Sequence, residues 1–131
     1  MSPWRIISLW VPVAVFILLL SVASGRSDPP EVPVWDKLMH VAAYGVLGVL
    51  AMRAFHGGAG RLRWGASLAA VALTVGYGAI DEVHQSFVPG RDPSGWDVMA
   101  DFVGAMAAVG VMGTLSGLRL LHDRRRGSEN A

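Results

Sequence analysis

Hydrophobic positions in this chain gather into four long runs without charge, separated by short polar intervals. Ile6 to Gly25 is the first run, and Val41 to Met52, extended by Leu38 and Met39 around His40, is the second. Trp64 to Ile80 and Phe102 to Leu118 are the third and fourth. A helix that crosses a bilayer needs roughly 17 to 25 mostly apolar residues. The runs therefore predict four transmembrane helices, over 4–23, 36–55, 62–86 and 95–121. The second is long enough if His40 and Tyr44 lie at the interface or face protein. Strands are not expected. In lipid every backbone polar group must be satisfied internally, and a closed barrel would show alternation that these continuous runs lack. The fold class read from the pattern is an all-α integral membrane bundle, one transmembrane domain over residues 1–131.

Composition agrees: 53% of the 131 residues are hydrophobic and 16% charged, with a mean hydropathy of +0.44. Soluble domains carry about 25% charged residues. The net charge of +1 hides a strong segregation. Arg5, Arg53, Arg61, Arg63, Arg119, Arg124, Arg125 and Arg126 fall on one side of the predicted membrane, leaving only Arg26, Lys37 and Arg91 on the other. That second side also carries Asp28, Glu31, Asp36, Asp81, Glu82, Asp92, Asp97 and Asp101. By the positive-inside rule both termini are expected in the cytoplasm, the N-in/C-in arrangement, with the acidic loops outside. The basic tail fixes topology and touches anionic lipid, and it gives no reason to invoke nucleic acid. Ser2-Pro-Trp-Arg5, the apolar run and Ser21-Val-Ala23 also resemble a secretory signal with a cleavage site, but the run is longer than a usual signal core, so a retained span is expected. The chain has no cysteine, which excludes disulfides and thiolate chemistry.

Small residues recur at helical spacing. Gly65, Ala69, Ala72 and Gly76 form one stripe; Gly104 and Ala108, then Gly113 and Gly117, form another. Such stripes let helices approach closely in lipid. The expectation is packing within the bundle, with homodimerisation the sharper alternative.

Polar residues concentrate at one depth. Asp36, His40 and Tyr44 are spaced i, i+4, i+8 and share a face at the outer end of the second helix. Tyr77, Asp81 and Gln85 share a face at the outer end of the third, with His84 beside them. Glu82 is turned about 100° from Asp81, so the two cannot face the same neighbour. Asp97 and Asp101 stand one turn apart at the outer start of the fourth. Charged groups at the edge of hydrocarbon are costly and mark either a site or a paired structural network. Between these helix ends, Val88-Pro89-Gly90-Arg91 predicts a type II turn, with Pro fixing φ at the second position and Gly accepting positive φ at the third. Ser94 is placed to cap the fourth helix, with Asp97 favoured at its N-terminus. Asp97 is then either a capping residue or part of the site. Asp101 is too deep to cap, and needs a partner such as Arg91, His40 or Lys37. His56 and His122, near the opposite helix ends, are expected at the solvated interface. Trp4, Trp10, Trp35, Trp64 and Trp96 fit an aromatic belt.

At these residues the chain resembles a known family. Asp36-Lys37-x-x-His40-x-x-x-Tyr44 looks like the first motif of VanZ-like membrane proteins. Asp81-Glu82-x-x-Gln85-x-Phe87-x-Pro89-Gly90-Arg91 and Asp97-x-x-x-Asp101-x-x-Gly104 look like the second and third. The resemblance covers residues 36–110. It departs at Asp101, where the family often has Asn. It implies a small multi-pass protein of the bacterial cytoplasmic membrane, whose namesake is associated with reduced susceptibility to the glycopeptide teicoplanin. It implies no known reaction.

Three functional classes follow. In the first, the polar cluster is an outward-facing site that binds or alters an envelope lipid or a lipid-linked cell-wall precursor. His40, Asp81 and Asp101 then form an acid–base cluster. Arg91 holds an anionic headgroup, since its planar fork suits phosphate, and Asp36, Tyr44, Glu82, Gln85 and Asp97 complete the binding surface. In the second, the protein binds a lipid, drug or partner without catalysis. In the third, the cluster only ties helix ends together. His and carboxylate side chains are metal-ligand types, but no HExxH-like spacing supports a metal, and neither metal nor cofactor is assigned. Proton-coupled transport is disfavoured, because the inner halves of the helices lack ionisable residues.

Overall fold

A computed structural model describes residues 1–26, 33–58 and 62–129. Asp28, Glu31 and Arg61, and the side chain of Arg124, used above in the charge count, lie outside the described residues. The architecture is four helices in chain order: α1 Pro3–Ser24, α2 Pro33–Phe55, α3 Trp64–Gln85 and α4 Gly95–Glu129. All four are long and apolar enough to cross a membrane.

Local chemistry explains the ends. Ser2 caps α1 by accepting from the Arg5 N–H (3.4 Å), and Pro3 occupies the first turn, where its missing N–H costs nothing. Gly57 (φ 63°) and Gly58 (φ 70°) end α2 in left-handed backbone, their N–H groups returning to the carbonyls of Ala54 and Arg53. The predicted type II turn is present: Gly90 has φ 83°, and the Arg91 N–H reaches the Val88 carbonyl at 3.1 Å. Ser94 accepts from the Trp96 N–H at 3.2 Å and starts α4. The fourth helix corrects the predicted end at 121. It continues through the arginine-rich segment to Glu129, because Arg and Leu remain good helix formers after the apolar run stops.

The helices alternate in direction. Arg5 donates to the Gly57 carbonyl (3.1 Å), which joins the start of α1 to the α2–α3 turn at one end. At the other end the Arg91 Nε donates to the Arg26 carbonyl (3.1 Å). The tightest pairing is α2 with α4. At Gly104 an added Cβ would lie 2.5 Å from the Val41 carbonyl oxygen and 2.7 Å from the Gly45 nitrogen. One turn further in, a Cβ at Gly48 would lie 2.9 Å from that of Ala108. The small residues of α4 thus serve α2. The expected intramolecular role of the α3 stripe is not found: Gly65, Ala72 and Gly76 are exposed, with nothing near either glycine. A different face of α3, carrying Ser67, Ala70, Thr74 and Gly78, is buried. The expectation failed because hydrocarbon accepts a small apolar face as readily as a protein core does.

α1 is peripheral. Only Leu9, Val13 and Ser24 are buried, and Leu9 and Val13 join Tyr44, Leu47 and Ala54 in one core cluster. His56 is a second correction. It is 3% exposed and not solvated. Its Nδ1 donates to the Met52 carbonyl (2.8 Å), while Nε2 accepts from the Arg63 N–H (3.1 Å), so it clamps the end of α2 to the start of α3. Trp4, Trp35, Trp64 and Trp96 are exposed near helix ends, whereas Trp10 packs edge-on against Phe55 (4.9 Å).

Candidate functional site

The polar residues meet where the ends of α2, α3 and α4 converge. Tyr44 is 2% exposed, and its hydroxyl donates to Asp81 Oδ2 at 3.1 Å. Gln85 Nε2, one turn along α3 from Asp81, donates to the same oxygen at 3.0 Å. Asp81 Oδ1 is buried and has no hydrogen-bond partner among the described residues.

Asp101 is fully buried and bonds through Oδ1 to His40 Nδ1 at 2.9 Å. A carboxylate only accepts, so the ring proton sits on Nδ1 and Nε2 is left for another ligand. The second Asp101 oxygen has no partner among the described residues, and the carboxyl lies where a Cβ would stand at Gly78. Gly78 is the residue that sequence reasoning missed. It makes the notch in α3 that admits Asp101, and its place on the same helical stripe as Asp81 and Gln85 was the available signal. Gly104, one turn after Asp101, seats α4 on the Val41 carbonyl and thereby sets Asp101 beside His40.

Asp97 is 3% exposed and pairs with Lys37 Nζ, which also stands 3.5 Å from Asp36. Its carboxylate therefore binds a cation from α2. Glu82 points elsewhere: Oε2 accepts from the Ser94 N–H at 2.7 Å, tying the end of α3 to the start of α4, and Oε1 is buried without a partner among the described residues. Tyr77 turns toward α1, where it bonds Ser21 Oγ (2.7 Å) and donates to the Ile17 carbonyl (3.1 Å). His84 Nδ1 lies 3.4 Å from Ser24 Oγ.

A cleft of about 150 Å³ opens at this end. Its polar wall is Ser24, Asp36, His40, Tyr44, Asp81, Gln85 and Arg91; its apolar wall is Leu20 and Ala23 of α1 with Met39 and Ala43 of α2. Asp101 stands behind His40 and does not line the cleft, and neither do Glu82 or Asp97. Arg91 forms no ion pair among the described residues; its one side-chain hydrogen bond, through Nε, leaves the two terminal nitrogens free. Of the three partners open to Asp101, Arg91, His40 and Lys37, the structure has His40. The volume suits a small polar group, since whole drug-sized ligands take about 300 Å³ or more. Separately, Asp36, His40 and Asp97 bring one potential metal-ligand atom each to within 4.8 Å of one another.

The arrangement can do two things chemically. His40, held by a buried carboxylate, is an oriented imidazole with one nitrogen left over, which is the geometry of a general base or a ligand. Arg91, without a carboxylate partner among the described residues and carried on the Pro89-Gly90 turn, can take an anion with two parallel hydrogen bonds.

The family model described as VanZ/LLP1 matches residues 3–116. No curated protein and no solved structure matches the chain. The chain belongs to the VanZ/LLP1 family.

Proposed function

We propose that this VanZ/LLP1 protein sits in the bacterial cytoplasmic membrane with both termini inside, and that its cleft faces the outer leaflet. There it binds the phosphorylated headgroup of an envelope lipid or lipid-linked wall precursor, and through that ligand it influences glycopeptide susceptibility. Arg91 holds the anionic group. His40, positioned by Asp101, exchanges a proton with the bound headgroup, and Asp81 orients the Tyr44 hydroxyl beside it.

The observation that carries this reading is Arg91. Asp81, Glu82, Asp97 and Asp101 each have a polar partner from another helix or loop, and Asp36 has Lys37 on its own helix, while the Arg91 guanidinium, which lines the cleft, has only a backbone carbonyl among the described residues. The apolar wall beside it suits an acyl or prenyl chain. A structural reading has its own support, because Asp81, Glu82, Asp97 and Asp101 each hold two helices, or a helix and a loop, together.

Two measurements test the proposal. Lipids co-purifying with the detergent-extracted protein, identified by mass spectrometry, should be enriched in a phosphorylated species, and Arg91→Ala should return the profile to bulk membrane composition. An identical profile in both proteins removes the headgroup role. For orientation, a reporter active only outside the cytoplasm should be silent after Ala131 and active when inserted between α1 and α2. The reverse pattern would put the cleft on the inner face.

A further inference from the structure

We infer that Asp36, His40 and Asp97 form a binding site for a divalent transition-metal ion such as Zn²⁺, with Lys37 as the tethered cation that holds the two carboxylates when no metal is bound.

Asp36 and His40 are four apart on α2, the spacing by which one helix face offers two ligands to a single metal. Asp97 comes across from the first turn of α4. The three ligand atoms lie within 4.8 Å of one another. Metal–ligand bonds of about 2.0–2.2 Å require them to close by roughly 1 Å, a side-chain adjustment.

Two observations outside this trio point the same way. Asp101 is not one of the ligands, yet it is wholly buried and holds His40 Nδ1 at 2.9 Å. A carboxylate behind a histidine fixes tautomer and ring orientation in metal sites and presents the other nitrogen. Asp81, 5% exposed, lines the adjoining cleft and keeps Oδ1 without a partner among the described residues. That oxygen is buried, so its charge is unneutralised at this end of the bundle and favours a cation nearby.

The resident ammonium supports the assignment. Lys37 Nζ contacts Asp97 and lies 3.5 Å from Asp36, so a cation already occupies this position. Its side chain is 37% exposed and can swing out on its flexible stem. Imidazole among the ligands favours Zn²⁺ over Mg²⁺ or Ca²⁺. Three protein ligands leave a coordination position open for a water or a phosphate oxygen. A metal on His40 and proton exchange by His40 exclude one another, so the inference stands apart from the acid–base role. It does not need the lipid either, because binding is measured without one.

The test is calorimetric titration of Zn²⁺ into the metal-stripped, detergent-purified full chain, with Mg²⁺ as the comparison. Wild type should bind one Zn²⁺ and ignore Mg²⁺. Asp36→Asn, at the partly exposed rim, leaves the His40–Asp101 and Lys37–Asp97 pairs in place and should weaken Zn²⁺ binding at least about tenfold, as loss of a charged ligand from a three-ligand site implies. Lys37→Met should bind roughly tenfold tighter, because a like charge a few ångströms from the ion is gone. It should also unfold at a lower temperature without metal, since Asp97 is then buried alone, and recover when Zn²⁺ is added. Zn²⁺ binding unaltered by Asp36→Asn would overturn the site. So would no binding by wild type, including the case in which only Lys37→Met binds, for then Lys37 is the permanent counter-ion.

Discussion

Gly104→Ala should lower stability by about 3 kcal/mol or more, the upper range for forcing extra volume into a packed interface. Gly65→Ala or Gly76→Ala should be neutral or mildly stabilising. One methyl group is added in each case, and only its surroundings differ. At Gly104 the new carbon would meet the Val41 carbonyl oxygen at 2.5 Å and the Gly45 nitrogen at 2.7 Å. Both are backbone atoms of a helix, so no rotamer change relieves the clash and α2 and α4 must separate. At Gly65 and Gly76 nothing lies within 4 Å, and alanine is the better helix former by roughly 0.5–1 kcal/mol. Separation of α2 from α4 would also part His40 from Asp101 and Lys37 from Asp97, since those pairs span the same interface. The check is thermal unfolding of the purified variants in detergent. A Gly104→Ala protein as stable as wild type would mean that the helices do not approach this closely.

How far the fold could be read from the sequence depended on whether a signal was local. The four helices were legible because a bilayer excludes charge, so Arg and Asp mark each boundary directly. The turn at Pro89-Gly90 was legible because its dihedral demands belong to those two residues. The end of α4 was not, because helix formation continues past the apolar run into Arg119–Arg126. Helical spacing put Asp36, His40 and Tyr44 on one face, and Tyr77, Asp81 and Gln85 on another, but spacing does not name the residue opposite. Arg91, His40 and Lys37 were all available to Asp101, and the choice fell to His40 because Gly104 and Gly78 bring Asp101 against α2 and α3 at that level. The buried face of α3 was misread for the same reason: two small-residue stripes look alike when lipid and core are both apolar. His56 was misread because its burial depends on an acceptor carbonyl one turn back and the Arg63 N–H beyond the turn.

The His40–Asp101 pair and Arg91 give opposite expectations, and together they separate scaffold from function. His40→Leu should destabilise the protein by about 3–5 kcal/mol, the cost of leaving a buried charged group without its partner. The cost is high here because Asp101 is wholly buried and its other oxygen already lacks a partner among the described residues. His40→Leu combined with Asp101→Ala should recover much of that loss, since the uncompensated charge is removed with its partner. Asp101→Asn should fold nearly as well as wild type, because an amide oxygen can still accept from Nδ1. Arg91→Ala should leave thermal stability almost unchanged, because the one side-chain bond it loses among the described residues is exposed and runs to a carbonyl that water can satisfy. Its effect should instead appear in cells, as loss of any change in glycopeptide susceptibility that expression of the chain produces. Arg91→Lys should fall short of full rescue, since an ammonium cannot make the paired contacts of a guanidinium. The measurements are unfolding in detergent and susceptibility of cells expressing each variant at matched levels. A stable His40→Leu protein would show that the pair does not support the fold. A stable Arg91→Ala protein with full activity would remove Arg91 from the site, leaving the cluster to its structural role.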